Sequence, residues 1–173
     1  MRLIKGIKIF KSKIFIDKRG YFMEVYKKQN LRSNEFIFDC YSYSKKNVIR
    51  GLHIQTHKTQ AKYLTVLKGS ILDVAVDLRK NSRTFGKYFS ITLSANNYCS
   101  IYIPEGFAHG FCTLKNENII YYSCTNYQHK KSELGIVWND KDLNINWPIK
   151  NPILSDKDKN NLSLKEYCRK FNI

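Results

Sequence analysis

Residues 72–79 read Leu-Asp-Val-Ala-Val-Asp-Leu-Arg, so that Leu and Val alternate with smaller or charged residues. A period of two residues is typical of a β-strand with one buried face, because successive side chains point to opposite sides. The same alternation recurs in residues 89–93 and 101–103, and turn-forming groups such as Lys68-Gly69-Ser70 separate the runs. Short strands at this spacing predict an antiparallel β-sandwich or jelly-roll barrel.

Helix signals are few. Ser163-Leu-Lys-Glu166 has the pattern of a capping box, and apolar residues continue at helical spacing to Phe171, so we predict a C-terminal helix. A second short helix is predicted near residues 28–34. Residues 152–158, Pro-Ile-Leu-Ser-Asp-Lys-Asp, read by themselves as an acidic, solvated turn. The length of 173 residues, without repeat or linker, predicts a single domain over residues 1–173.

The composition of the chain indicates what kind of ligand it binds and where in the cell we expect it. The net charge is +16, but the lysines are dispersed, and their richest cluster, residues 5–18, alternates with apolar residues as an edge strand would. We therefore expect a small anionic substrate rather than a nucleic acid. No apolar run approaches the ~18 residues that cross a membrane, and the N-terminus lacks a secretory pattern, so we expect a cytoplasmic protein. Five cysteines without a Cys-x-x-Cys pair predict reduced, buried thiols.

Residues able to do chemistry gather in a few segments. Arg50-Gly-Leu-His53 is followed by Lys62 and by Pro104-Glu-Gly-Phe-Ala-His109. A histidine is a natural general base near neutral pH, and the cations suit a phosphate and a developing oxyanion. Tyr121 and Tyr122 are adjacent in a strand-like run, so only one of them can point into a barrel.

Pro104-x-Gly-x-x-His109 is the second half of the sequence signature of cupin barrels, and His53-x-x-x-His57 could be a degenerate first half. Many cupins bind a metal through such histidines. The usual His-x-His and Glu set is missing here, and Lys62 would repel a cation. We therefore expect no metal, and a metal-dependent cupin is an alternative.

Eight segments follow one another along residues 3–167: Asp17-x-Arg19-Gly20-Tyr-Phe-x-Glu24, Asn47-Val-Ile-Arg-Gly-Leu-His53-Ile-Gln55, Gln60-Ala-Lys62, Leu72-Asp-Val-Ala-Val-Asp-Leu-Arg79, Thr84-Phe-Gly-Lys87, Ile103-Pro-Glu-Gly-Phe-Ala-His-Gly-Phe111, Asp142-Leu-x-Ile-x-Trp-Pro148 and Pro152-Ile-Leu-Ser-Asp-Lys-Asp158. In this order and spacing they resemble the dTDP-4-dehydrorhamnose 3,5-epimerase family. The resemblance implies an all-β, cupin-type antiparallel jelly-roll barrel with a few short helices.

The activity that the resemblance implies is inversion of C3, or of C3 and C5, in a nucleotide-diphospho-4-keto-6-deoxy sugar. His53 matches the family's base and Asp158 the carboxylate that pairs with it. Lys62, helped by His109, would stabilise the enolate oxygen, and Tyr122 matches the family's acid. The catalytic residues are therefore expected to be His53, Tyr122, Asp158 and Lys62, and the substrate-binding residues to be Arg19, Glu24, Arg50, Gln55, Lys62, His109, Glu133 and Lys157.

Partners are also implied by the resemblance. Arg50 and Arg19 would hold the diphosphate, and in the family the Arg-Gly segment reaches into the neighbouring subunit's site. A homodimer with shared active sites is implied, with N-terminal strands, about residues 1–26, at its interface. No cofactor is expected, because the chain has no Gly-rich dinucleotide loop.

One segment departs from the family pattern. Members usually carry Gln-x-Asn-x-Ser where this chain has Phe38-Asp39-Cys40-Tyr41-Ser42. Losing two polar, substrate-contacting side chains predicts a substrate other than the usual dTDP-6-deoxyhexose, such as a GDP-linked 4-keto-6-deoxyheptose. A sugar ketoisomerase and a non-catalytic cupin that binds nucleotide sugars are the alternatives.

Overall fold

The computed structural model describes residues 3–31 and 35–173. Within them lie twelve strands, two short α-helices and two 3₁₀ turns. The strands are β1 (Lys8–Lys11), β2 (Ile14–Asp17), β3 (Gly20–Met23), β4 (Phe38–Lys45), β5 (Ile49–Gln55), β6 (Lys62–Lys68), β7 (Ser70–Asp77), β8 (Tyr88–Ser94), β9 (Cys99–Ile103), β10 (Phe107–Thr113), β11 (Glu117–Cys124) and β12 (Glu133–Gly135); the helices are α1 (Asp156–Lys159) and α2 (Leu164–Phe171), and the 3₁₀ turns are Lys28–Leu31 and Lys130–Ser132.

Ten of the described strands form two five-stranded antiparallel sheets. One has the order β1-β9-β6-β11-β4, and the other the order β12-β5-β10-β7-β8. Apolar side chains from both inner faces meet in a core of, among others, Leu64, Ile71, Leu93, Ile101, Phe111 and Ile120. The predicted antiparallel barrel is confirmed, and the basic N-terminal segment supplies its edge strand β1.

β7 differs from the prediction of a half-buried strand, because both of its faces are buried. Val74 and Val76 belong to a second apolar cluster, which contains Trp147 and Tyr167 from the C-terminal segment. Asp73, on the opposite face, has no exposed surface. The alternation therefore separates two interiors, and the one on the Asp73 face contains part of the candidate site.

The C-terminal segment covers the outer face of the second sheet. The predicted helix α2 is confirmed, with the Ser163 side chain accepting from the backbone of Glu166 and the Glu166 side chain accepting from the backbone of Ser163. The solvated turn predicted for residues 152–158 is correct for Ile153 and residues 155–157, which are exposed, but wrong for Asp158. Ile153 bridges to Val48 in parallel fashion, and Asp158 is buried in α1.

Two glycines allow β5 and β10 to approach closely. A Cβ on Gly51 would lie 2.6 Å from the Gly110 Cα, and a Cβ on Gly110 would lie 2.6 Å from the Arg50 carbonyl oxygen. The backbone of Gly51 also has φ near +117°, a conformation that side chains disfavour. The close approach pairs His53 directly with His109 across the two strands.

Residues 14–23 form a hairpin of β2 and β3, separate from both large sheets. It exposes large apolar side chains, with Ile16 74% and Phe22 66% exposed. Of the helix predicted near 28–34, residues 28–31 form a 3₁₀ turn and 32–34 lie outside the described residues. None of the described helices is long and apolar enough to cross a membrane, and all five cysteines are free thiols.

Candidate active site

A cavity of about 740 Å³ opens between the two sheets. Nine of the predicted site residues line it: Arg50, His53, Gln55, Lys62, His109, Tyr122, Glu133, Lys157 and Asp158. They come from five strands and one helix. Arg19 and Glu24 are not in its lining.

His53 on β5 is held by the chain's C-terminal segment. Its Nε2 lies 2.6 Å from Asp158 Oδ1, and Asp158 Oδ2 accepts from the Gly51 backbone at 3.3 Å. Ser155 caps α1 by accepting from the backbone N–H of Asp158 at 3.1 Å, which fixes where that carboxylate points.

Asp158 decides which nitrogen of His53 is basic. Burial would raise the pKa of this carboxyl, but the hydrogen bonds from His53 and Gly51 outweigh it and hold the pKa below its usual range. An ionised carboxylate only accepts hydrogen bonds, so Nε2 carries the proton and donates it. The lone pair of neutral His53 is then on Nδ1, ready to accept a proton.

Tyr122 on β11 also lines the cavity. Its hydroxyl lies 3.0 Å from Ser42 Oγ on β4. Burial raises the pKa of Tyr122 far above the usual value for a phenol, so the side chain is a proton donor at neutral pH. Tyr121 lies on the other face of the sheet, where its hydroxyl accepts from Ser123 at 3.2 Å.

Lys62 on β6 has an unusual environment. Cys124 is its register partner on β11, and Cys40 also lines the cavity. Among the residues that the structure describes, none forms a hydrogen bond or ion pair with Lys62. Burial lowers the pKa of this lysine below 10.5, although nearby carboxylates and thiols oppose the change. An unpaired cation in such a wall favours an anionic group in the cavity.

His109 is held by a second buried carboxylate. Its Nε2 lies 2.7 Å from Asp73 Oδ2, and both side chains are almost completely buried. The other oxygen, Asp73 Oδ1, is buried without a hydrogen-bond partner among the described residues. The contact fixes the His109 ring at the cavity wall.

Glu133 on β12 lies beside the open nitrogen of His53. Its Oε1 is 3.7 Å from His53 Nδ1, and its Oε2 is 2.9 Å from Lys157 Nζ. Gln128 also donates to Oε2 at 3.2 Å. Glu133 and Lys157 are thus joined to the same network as His53.

Arg50 and Gln55 differ in their freedom to bind a ligand. Arg50 donates to Ser44 Oγ at 2.9 Å and to the Tyr43 carbonyl at 3.1 Å, which directs its guanidinium along the cavity rim. The Gln55 amide donates to the Lys58 carbonyl at 2.6 Å and accepts from the His129 backbone at 2.8 Å. Gln55 therefore connects the segments around Lys58 and His129 at the cavity mouth by hydrogen bonds.

Arg19 and Glu24 lie away from this chain's own cavity. Arg19 is at the tip of the β2–β3 hairpin, where it pairs with Asp17 at 2.6 Å and its side chain is 85% exposed. Glu24 follows the hairpin and pairs with Lys27 at 2.7 Å. Within one chain these two predicted substrate-binding residues do not join the other nine.

Comparison with known proteins identifies the family of the chain. The sequence model of the family described as dTDP-4-dehydrorhamnose 3,5-epimerase matches residues 2–166. The chain belongs to the dTDP-4-dehydrorhamnose 3,5-epimerase family. The relative of that name from Shigella flexneri is 47% identical over 163 residues, which span 91% of this chain and 90% of the relative.

Solved structures agree with the family assignment. The dTDP-6-deoxy-D-glucose-3,5-epimerase from Legionella pneumophila, in complex with dTDP-4-keto-L-rhamnose, is 39% identical with a TM-score of 0.91, over 95% of this chain and 90% of that one. A 3'-monoepimerase from Streptomyces bikiniensis, in complex with dTDP-quinovose, is 26% identical with a TM-score of 0.90, over 99% and 91%. The predicted cupin-type fold and isomerase class are confirmed.

Three cavity or support residues were missed as members of the epimerase site. Ser42 touches the Tyr122 hydroxyl, Asp73 holds His109, and Cys124 adjoins Lys62. Ser42 could have been found, since it shares the face of Phe38 and Cys40 at a spacing of two residues. Asp73 and Cys124 carry no local signal, because their partners are distant in the chain. No three His, Cys, Asp or Glu side chains in residues 3–31 and 35–173 come together as a candidate metal site.

Because Lys62 has no ion-pair partner among the described residues, replacing it by an apolar residue should increase stability and decrease activity. Lys62→Met should raise the free energy of unfolding by about 1–3 kcal/mol at pH 7, because a partly buried cation without an ion-pair partner among the described residues is removed, and should lower activity at least about a hundredfold. The penalty in the wild type is full below the lowered pKa of Lys62 and disappears as the pH rises towards 10.5, the ordinary lysine value. Urea unfolding at several pH values measures the difference.

Lys68→Met is the matched control. Lys68 ends the same strand but is exposed and pairs with Glu117 at 2.6 Å. Its loss should change stability by no more than about 0.5 kcal/mol. A Lys62→Met protein that is less stable than the wild type at pH 7 would contradict the account of this lysine.

Proposed function

We propose that this chain inverts C3, or C3 and C5, of a nucleotide-diphospho-4-keto-6-deoxy sugar. The observation that carries the proposal is one cavity in a member of this epimerase family, lined by a carboxylate-oriented histidine, a protonated tyrosine and an unpaired lysine. A ketone acidifies the hydrogens on the carbons beside it. The histidine could remove such a proton, the lysine could stabilise the resulting enolate, and the tyrosine could return a proton to the carbon.

The reaction follows from the roles of the three groups. His53 Nδ1 accepts the proton from C3, and the C–H electron pair moves onto O4 as an enolate. Lys62 stabilises that oxygen by its charge, with His109 beside it at the wall. Tyr122 then donates its hydroxyl proton to the carbon from the opposite face. Solvent reprotonates Tyr122 and takes the proton from His53, and the same cycle at C5 gives the double epimer.

The diphosphate is assigned to cations at the cavity rim. Arg50 lines the cavity, and its anchors Ser44 and Tyr43 leave part of the guanidinium free to donate. A guanidinium presents donors in a geometry that suits phosphate oxygens. The net charge of +16 favours approach of a dianionic substrate.

The nature of the substrate depends on the wall formed by β4. Phe38 and Cys40 both line the cavity, and Phe38 contacts the ring of Tyr127 at 6.0 Å between centroids. We propose that this less polar wall selects a substrate other than the usual dTDP-6-deoxyhexose, with GDP-linked 4-keto-6-deoxyheptoses as the first class to test. The usual substrate presents polar groups to the family's Gln and Asn side chains. At Phe38 and Cys40 those groups would find no hydrogen-bond partner, so binding of that substrate would be weaker.

Exchange with solvent tests the proposed chemistry. In D₂O, with dTDP- and GDP-linked 4-keto-6-deoxy hexoses and heptoses, the wild type should incorporate deuterium at C3, or at C3 and C5, of one preferred substrate. His53→Asn should slow this incorporation by about 10²–10⁴-fold, because the general base is removed. Mass spectrometry and proton NMR read the site and rate of exchange.

His57→Asn is the control for this experiment. His57 is exposed, lies four residues from His53 and does not line the cavity, so its loss should leave the exchange rate unchanged. Wild-type exchange that survives in His53→Asn would assign the base to another group. Binding of a nucleotide sugar by the wild type without any exchange would favour the non-catalytic cupin.

We further propose a homodimer in which each β2–β3 hairpin completes the partner's site. Arg19 and Glu24 match substrate-contacting positions yet lie outside this chain's cavity, on or beside a hairpin with exposed aromatic rings. The edge strand β4 also exposes Tyr41 and Tyr43. An exposed apolar hairpin and an unpaired sheet edge together are suited to a second copy of the chain.

Subunit mixing tests this sharing. Arg19→Ala and His53→Asn should each be nearly inactive, but an equal mixture, refolded together, should recover about a quarter of wild-type activity. The recovery arises because half of the dimers are hybrid, and one site in each hybrid has both residues intact. A mixture no more active than the single variants would place Arg19 in its own chain's site or outside catalysis.

A further inference from the structure

The ion-pair network around His53 extends beyond Asp158. On one side of the ring, Asp158 binds Nε2 at 2.6 Å. On the other, Glu133 Oε1 lies 3.7 Å from Nδ1, the nitrogen left to accept the substrate's proton. The imidazolium that forms during the reaction is therefore flanked by two carboxylates.

The fold determines this placement of Glu133. β12 pairs with β5 so that Gly135 lies opposite His53 and Glu133 opposite Gln55. The Glu133 side chain is only 11% exposed, and Lys157 and Gln128 bind its Oε2, which leaves Oε1 directed at the histidine.

Lys157 opposes the effect of Glu133 on the ring. Its Nζ lies 2.9 Å from Glu133 Oε2, and its side chain is half exposed. Burial would raise the pKa of Glu133, but Lys157 and His53 outweigh it and hold the pKa below the usual range. Glu133 is thus a carboxylate at neutral pH, shared between a fixed cation and a histidine whose charge changes.

The distance of 3.7 Å is too long for a strong hydrogen bond but short for two charges. A full ion pair in the resting enzyme would block the base, because Nδ1 would already hold a proton. At the observed separation the carboxylate leaves Nδ1 open and favours the charge that arrives later.

We propose that Glu133 is a positioning residue that stabilises the His53 imidazolium from its cavity side, and that Lys157 limits how strongly it does so. This inference rests on the proposed function for its catalytic meaning, but its electrostatic part concerns the free protein. It assigns Glu133 and Lys157 an action through the base, in addition to any contact with substrate.

Other titratable groups also lie near the His53 ring. Asp158 and Lys157 face His53 from α1, Glu133 from β12 and His109 from β10, while Arg50, Lys62 and Tyr122 share the cavity. His109 is bound to Asp73, and Asp158 is needed for the orientation of the ring. Glu133 and Lys157 form the pair whose charges can be changed without removing that orientation.

Opposite changes are expected from the two neutral variants. In the free protein, Glu133→Gln should lower the pKa of His53 by about one pH unit, since a carboxylate beside the imidazolium is lost. Lys157→Met should raise it, by less than about one unit, because Glu133 is freed from its cation. The Cε1–Hε1 resonance of His53, assigned by its absence in His53→Asn, gives each value by NMR titration.

A matched pair provides the control. Glu117 and Lys68 form a similar ion pair, at 2.6 Å, and neither residue lines the cavity. Glu117→Gln and Lys68→Met should leave the His53 titration unchanged. Glu133→Asp, which keeps the charge, should return the titration part of the way to the wild type.

Kinetics then connect the network to catalysis. The acidic limb of the kcat/KM profile for exchange should move to lower pH by about one unit in Glu133→Gln, with a lower plateau, and to higher pH in Lys157→Met. A purely structural or substrate-binding role would lower the plateau without moving the limb. An unchanged His53 titration in both variants would overturn the inference, whereas absence of exchange in the wild type would overturn the proposed function and not the titration result.

Discussion

The hydrogen bond between His53 and Asp158 joins residues 105 positions apart, and the site depends on it. It requires the C-terminal segment to lie along β5, which it does through backbone hydrogen bonds of Ile153 with Asn47 and Ile49 at 2.8 and 3.1 Å. It also requires the Ser155 cap, which orients Asp158 at the start of α1. Because Asp158 is buried and ionised, the histidine has a single tautomer and a single basic nitrogen.

Two groups in or behind the cavity wall weaken the fold. Lys62 forms no hydrogen bond or ion pair with any described residue, and Asp73 Oδ1 is buried without a hydrogen bond within that part of the chain. Each costs free energy that an apolar residue would not, since a polar group out of water needs a partner. Features of this kind are typical of sites whose missing partner is a ligand or a transition state. The two apolar clusters on either face of β7 and its neighbours offset the cost.

Much of the fold followed from local patterns. Alternation in residues 72–79, 89–93 and 101–103 placed strands correctly, and the Ser163–Glu166 capping box placed α2. The burial of both faces of β7 was not predicted, because a local pattern does not show that a C-terminal segment more than 60 residues away covers the second face. The burial of Asp158 within the acidic turn at 152–158 was missed for the same reason, since it depends on contacts with Gly51 and His53 of β5.

Most residues of the candidate site were predicted from the sequence, but the contacts between them were not. Nine residues named from the family resemblance share one cavity, while Arg19 and Glu24 lie on or beside a hairpin outside its lining. Spacing alone does not show that Asp73 holds His109, or that Cys124 adjoins Lys62, because cross-strand register determines both contacts. The departure at Phe38 and Cys40 was visible in the sequence, and the register of β4 with β11 then places Cys40 opposite Tyr122.

The most direct test of the account is the tautomer of His53 in the free protein, read from the ¹⁵N chemical shifts of its ring at a pH where it is neutral. We expect a proton on Nε2, donated to Asp158, and an unprotonated Nδ1 facing the cavity. Asp158→Asn should then make the two nitrogens exchange roles or mix. A wild-type ring protonated on Nδ1 would contradict the central claim, because the nitrogen assigned as base would already carry a proton.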